Sequence, residues 1–199
     1  ICDYSDIKNL VYSLIEKYKE KNVSVSLPSL RVDSFSVDLI KELQKVRKSG
    51  LTFAPEAGTQ RMRDVINKGV TEQNLMDSVS SAFKNGWTTI KLYFMIGLPY
   101  ETKVDVRGIG ELGKKVVDEY YKVPKDQRKR GLKVTLSTSI FIPKPFTPFQ
   151  WSPADKIESV REKISGLRDE LKGTRAITYN WHETPVSYLE AALARGDRR

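Results

Sequence analysis

The stretch TIKLYFMI at residues 89–96, followed at once by GLPYET at 97–102, sets the reading of the whole chain. It is rich in β-branched and aromatic residues and almost continuously apolar, as expected of a parallel strand buried on both faces. Gly97 stops the run, and Ile109, Leu112, Val116, Val117 and Tyr120 then recur at helical spacing. On its N-terminal side two helical pieces, around Met62, Val65 and Ile66 and around Leu75, Val79, Ala82 and Phe83, separate it from a short strand at Leu51–Pro55. Strand, helix, strand, helix is therefore the local rule.

The rule extends to both ends. Ile7, Leu10, Val11, Leu14, Ile15 and Tyr18 mark an amphipathic helix that Ser5 would cap, and Val23–Leu27 alternates as a strand does. A helix through Ile40 and Leu43 follows, closed by Gly50. Beyond the central run come a polar, basic loop at Val123–Gly131 and a strand at Lys133–Ile142. Ser152, Pro153 and Asp155 then open a helix through Ile157, Val160, Ile164, Leu167 and Leu171. A fifth strand at Arg175–Trp181 leads through Thr184 and Pro185 into a last helix. Strands separated by helices pair in parallel through right-handed crossovers. The fold class is α/β with about five parallel strands, and the pattern alone admits either a barrel or a doubly wound sheet. Residues 1–199 show no repeat, linker or low-complexity segment and are expected to form a single domain.

Composition narrows the classes. With 39% hydrophobic and 30% charged residues the chain has a globular composition, and no apolar run approaches the roughly 20 residues that cross a bilayer. Ile1–Asp6 has no secretory leader pattern, and a first residue other than Met suggests a cut inside a longer polypeptide. The single cysteine, Cys2, excludes an intrachain disulfide and fits a reducing cytoplasm. The net charge of +9 is concentrated at Lys125–Arg130 and Arg195–Arg199. Such a surface suits RNA or another polyanion, but no aromatic stacking motif is interleaved with those charges, and a solvated loop and charged tail are the favoured account of them.

The unusual residues share one position. Ser29 and Arg31 follow the first strand, Glu56, Ala57 and Gly58 the second, Gly97–Thr102 the third, Ile142 and Pro143 the fourth, and His182 and Glu183 the fifth. All lie at strand C-termini, the rim on which parallel α/β folds build their sites. Glu56 suits a ribose or an amine, or else the cap of the helix beginning near Thr59; Arg31 suits a ligand carboxylate, or else pairs with Glu56. The sole histidine, His182, lacks partners for a zinc site, and Cys2 lacks a triad. Gly108, Gly110 and Gly113 spell G-x-G-x-x-G inside a helical pattern, not between strand and helix, so they are no dinucleotide fingerprint.

Four blocks in register carry a family resemblance: Leu27–Ser34, Phe53–Thr59 with Ile66–Glu72, Met95–Thr102, and Pro143–Trp151 with Leu189–Arg199. Together they resemble the second half of a radical S-adenosylmethionine (SAM) core, in a subgroup that carries a cobalamin-binding-like domain ahead of it. The resemblance implies an incomplete (β/α) barrel with SAM across its top. Ser29, Arg31, Glu56, Lys68, Gly97, Ile142 and Pro143 would then form the cofactor site. Within it Glu56 would meet the ribose or methionine amine, Lys68 would stand where relatives have a carboxylate-gripping arginine, and Gly97, Ile142 and Pro143 would flank the adenine. Lysine keeps that charge without the bidentate fork. The family holds its [4Fe–4S] cluster with three cysteines in C-x-x-x-C-x-x-C, which this sequence lacks. The expectation is thus a fragment of an enzyme whose cluster ligands, and any cobalamin, lie outside this chain and whose substrate is unknown. Alone it would be inactive and would self-associate through the Val23–Leu27 edge. The alternative is a non-catalytic module that binds RNA or protein.

Overall fold

The computed structural model describes Tyr4, residues 6–21 and residues 50–196. The expected strand Val23–Leu27, the helix after it, Ser5, Ser29 and Arg31 lie outside the described residues. Among those described, four strands form one sheet in the order β1-β2-β3-β4: β1 Leu51–Glu56, β2 Thr89–Ile96, β3 Lys133–Ile140 and β4 Ile177–Trp181. Each adjacent pair is parallel. The helices are α1 Ile7–Tyr18, α2 Gln60–Val65, α3 Glu72–Lys84, α4 Lys103–Lys122, α5 Ile157–Leu171 and α6 Thr184–Arg195.

Strand order decides between the two architectures the pattern left open. A doubly wound sheet reverses its order and places helices on both faces, whereas here each strand adds beside its predecessor. Leu75, Val79 and Phe83 of α3, Ile109, Leu112 and Val116 of α4, and Val160, Ile164 and Leu167 of α5 join one core with Ile90, Leu92, Phe94, Val134 and Leu136. That core lies on a single face, so the sheet is an arc of a (β/α) barrel.

The other face corrects the expectation that β2 is buried on both sides. Ile90, Leu92, Phe94 and Ile96 are buried, but Thr89 and Tyr93 are exposed and Lys91 and Met95 half-buried. Register places Lys91, Tyr93 and Met95 beside Thr135, Ser137 and Ser139, and these beside Thr178 and Asn180. The barrel-facing side is therefore largely polar, and aromatic and aliphatic bulk on β2 concealed this alternation in the sequence.

Boundaries shift for local reasons. β3 stops at Ile140, although Phe141 N–H still donates to the Ile96 carbonyl at 2.8 Å. α5 begins at Ile157, not at Ser152, because Asp155 turns its carboxylate to the Lys156 N–H, the Ser159 hydroxyl and Lys163 instead of capping a first turn. The three glycines of the rejected fingerprint do fall inside α4. Their use is packing: a Cβ on Gly108 would come 2.8 Å from Thr59 Cγ2 and one on Gly113 2.8 Å from Leu136 Cδ1.

Candidate functional site

Parallel pairing brings the C-terminal ends of β1 to β4 to one rim, with Glu56, Gly97, the Ile142–Pro143 turn and His182 following the strand ends. Pro55 lies in β1 without a donor N–H, and the ladder slips there: Phe53 pairs with Leu92, but Glu56 pairs with Phe94. The extra residue is a bulge, a device that re-aims a side chain at a strand end. Glu56 leaves it with φ 67, in the left-handed region where non-glycine residues are uncommon and concentrate at functional positions. Its carboxylate accepts from Lys68 Nζ at 3.0 Å, and both side chains stay about a quarter exposed, at 26% and 29%. Lys68 reaches that position because α2 is short: Thr59 caps it, its oxygen accepting the Met62 N–H at 3.3 Å, and the chain turns back through Asn67 and Gly69, both at positive φ. The cap belongs to Thr59, so Glu56 is not the capping residue. Its ion-pair partner among the described residues is Lys68.

The second wall is the turn after β2. Gly97 sits at φ 83, and a Cβ there would come 3.3 Å from Asp155 Cβ. Its N–H is committed to Glu101 at 2.9 Å. Glu101, with a side chain only 3% exposed, also accepts from Lys163 Nζ at 2.7 Å, and Lys163 donates at 2.7 Å to Asp155. Burial raises the Glu101 carboxyl, against the pull of Lys163. Burial would raise Asp155 too, but its bonds to Lys163 and Ser159 outweigh this and hold it low. The same two carboxylates outweigh desolvation at Lys163 and push its ammonium up. A half-buried cation thus ties the turn to α5.

A third network locks the turn after β1. Asp105, 3% exposed, accepts from Arg61, from the Thr59 hydroxyl, and from the Thr102 N–H and hydroxyl at 2.8 and 2.6 Å. Burial opposes ionisation there, and these donors overcome it, holding the carboxyl well below the usual range. Arg63, 1% exposed, donates to the Ala57 carbonyl at 2.9 Å, and desolvation lowers its guanidinium. Ile142 is half-buried and Pro143 buried in the loop leaving β3. His182 contributes a backbone N–H to the Thr138 carbonyl at 3.1 Å.

Sequence reasoning missed Asp155, Lys163, Arg61 and Asp105 as shapers of this rim. One signal for Lys163 was available. Three residues after Val160 and beside Ile164, it falls on the apolar stripe of α5, where an unpaired lysine is not tolerated.

A carboxylate and an ammonium on the rim beside a left-handed glycine match the donors and acceptors of an amino-acid nucleoside such as SAM. An iron–sulfur cluster is another matter. Among the described residues no three histidine, cysteine or acidic side chains gather to hold a metal, and the sequence has one cysteine against three required thiolates.

An arc of parallel strands with this rim defines the partial (β/α) barrels that bind ligands at their strand C-termini. Residues 2–113 match the radical SAM superfamily, and the chain belongs to it. An uncharacterized protein of Methanocaldococcus jannaschii is 34% identical over 178 residues, 89% of this chain and 36% of that protein. An uncharacterized methyltransferase of Pyrococcus horikoshii is 29% identical over 105 residues, 52% of this chain and 23% of that protein. The chain therefore spans about a third of the first relative and less of the second.

Proposed function

We propose that this chain is the SAM-binding half of a radical SAM enzyme, with SAM held between Glu56, Lys68 and Gly97 and flanked by Ile142 and Pro143. Ser29 and Arg31 complete the site in this reading. The observation that carries it is the bulge-aimed Glu56, at φ 67 and paired with Lys68 at 3.0 Å, on the rim that also bears Gly97. Glu56 accepts from the ribose or the amino group, Lys68 neutralises the methionine carboxylate, and Gly97 leaves room for the adenine. Bound beside a reduced [4Fe–4S] cluster whose cysteines lie outside this chain, SAM supplies the radical-forming chemistry. The Pyrococcus relative's designation as a methyltransferase supports transfer over oxidation, and the resemblance to a subgroup with an upstream cobalamin-binding-like domain supports cobalamin as the methyl carrier.

Calorimetric SAM titration of the intact protein tests the site. Glu56→Gln should weaken binding about tenfold or more, the scale of one charged hydrogen bond of roughly 1.5–3 kcal/mol. Lys68→Met should weaken it likewise, and Lys68→Arg should retain it because the fork grips a carboxylate at least as well. Unchanged affinity in both Glu56→Gln and Lys68→Met would overturn the assignment.

A further inference from the structure

The opposite end of the sheet carries a second site, built from residues the SAM reading leaves unused. α4 finishes with Tyr120 and Tyr121, whose rings meet edge to face at 5.2 Å. Tyr120 is buried against Phe83, with ring centroids 5.4 Å apart, and its hydroxyl donates to the Lys129 carbonyl. The chain then turns through the basic loop and lays Arg128 over both rings, 5.4 Å from the Tyr120 centroid and 5.0 Å from that of Tyr121. Aromatic rings are thus interleaved with the charges after all. They come from the end of the preceding helix, which is why the loop sequence alone did not reveal them.

Arg130 from the same loop and Arg175, two residues before β4, join Arg128 and the two tyrosines around a hollow of about 390 Å³. It is a shallow depression open to solvent, the form of a groove that tracks a strand rather than of an enclosed small-molecule pocket. Six lysines, Lys68, Lys114, Lys115, Lys144, Lys163 and Lys172, each meet a carboxylate, whereas the three arginines here converge on one depression. No described carboxylate stands within ion-pair distance of Arg128, Arg130 or Arg175. Arg128 also faces the negative end of the α4 dipole, which accounts for one cation but not for three. Converging guanidinium groups repel one another and draw an anion into the hollow.

We propose that this hollow binds single-stranded nucleic acid, with a base stacked on the Tyr121–Arg128 pair and the flanking phosphates held by Arg130 and Arg175. Tyr121 is 59% exposed, so a ring face is open to a base. Arginine suits phosphate because its planar fork makes two parallel hydrogen bonds. Stacking requires an unpaired base, which favours a single strand over a duplex. The site is separate in its residues from the rim, so its failure leaves the SAM reading untouched, and the reverse.

Fluorescence anisotropy of the intact protein with a labelled oligouridylate is the test. Arg130→Glu with Arg175→Glu should cost about tenfold or more in affinity and lower the log–log salt slope by about 1.4, two phosphate contacts at roughly 0.7 each on a single strand. Tyr121→Leu should weaken binding roughly fivefold or more with the slope unchanged. Lys103→Glu, exposed in the first turn at the opposite end of α4, should leave binding as it is. Labelled oligothymidylate assigns the sugar: equal binding marks recognition of base and phosphate alone, weaker binding adds the 2′-hydroxyl, and both support the site. The proposal is overturned if Lys103→Glu weakens binding as much as the Arg130→Glu, Arg175→Glu pair, if Tyr121→Leu has no effect, or if polyglutamate or a duplex displaces the oligouridylate as well as the unlabelled single strand does.

Discussion

Gly58 has no room for a methyl group. A Cβ there would stand 2.3 Å from the Ile109 nitrogen, 2.4 Å from the Asp105 carbonyl and 2.6 Å from the Gly108 carbonyl carbon, all backbone atoms of α4. Backbone cannot swing aside, so Gly58→Ala should destabilise the fold by about 3 kcal/mol or more, read as a lowered urea midpoint. Gly108→Ala meets Thr59 Cγ2 at 2.8 Å and the Gly58 backbone at 3.0 Å, looser contacts than those at Gly58, so it should cost less, about 1–2 kcal/mol. Three residues before Gly108, Asp105 makes a pH prediction. Its folded carboxyl is held low by Arg61, Thr102 and Thr59 against the opposing effect of burial, so in acid the unfolded chain binds more protons than the folded one. That contribution is complete above the unfolded value of about 3.9 and is lost as pH falls below it. Asp105→Asn should lower stability at neutral pH and flatten its decline below about pH 4, measured by urea unfolding across the acid range.

At the scale of elements, α5 is fastened to the turn after β2 by a single half-buried lysine. Lys163→Met would leave Glu101, 3% exposed, with the Gly97 N–H as its remaining donor among the described residues. A buried charge stripped of its partner costs roughly 3–5 kcal/mol. Burial already raises the Glu101 carboxyl, and loss of the cation raises it further. A folded carboxyl raised above its unfolded value of about 4.3 destabilises as pH climbs through the folded value and carries no penalty below the unfolded one. The variant's deficit should therefore be largest at neutral pH and shrink toward about pH 4. This pairing also shows what the sequence concealed. The helix was legible from Val160, Ile164 and Leu167, but its capping residue was not, because Asp155 serves a lysine two turns away rather than its own first turn. The strands were legible from their β-branched runs, yet the polarity of their second face was masked by Tyr93 and Met95.

For the whole molecule, alternation of periods two and 3.6 was enough to establish parallel strands, and parallel strands were enough to put Glu56 and Gly97 on one rim. Barrel against doubly wound sheet was not decidable that way, since strand order is a tertiary fact. Nor were the ion pairs legible: Glu56 with Lys68 is 12 residues apart and Glu101 with Lys163 is 62 apart, distances at which spacing carries no information. Ser29, Arg31 and the Val23–Leu27 edge lie outside the described residues. One feature of the packing reaches across the molecule. Gly58 and Gly108 press the turn bearing Glu56 against α4 backbone to backbone, with no side chain between them to take up movement. From Gly108 the helix continues to Tyr121, about 20 Å at 1.5 Å per residue, carrying Ile109, Leu112 and Val116 into the core on the way. The turn that aims Glu56 is therefore keyed to the same helix that packs the sheet, so any substitution that shifts α4 in the core also moves the rim.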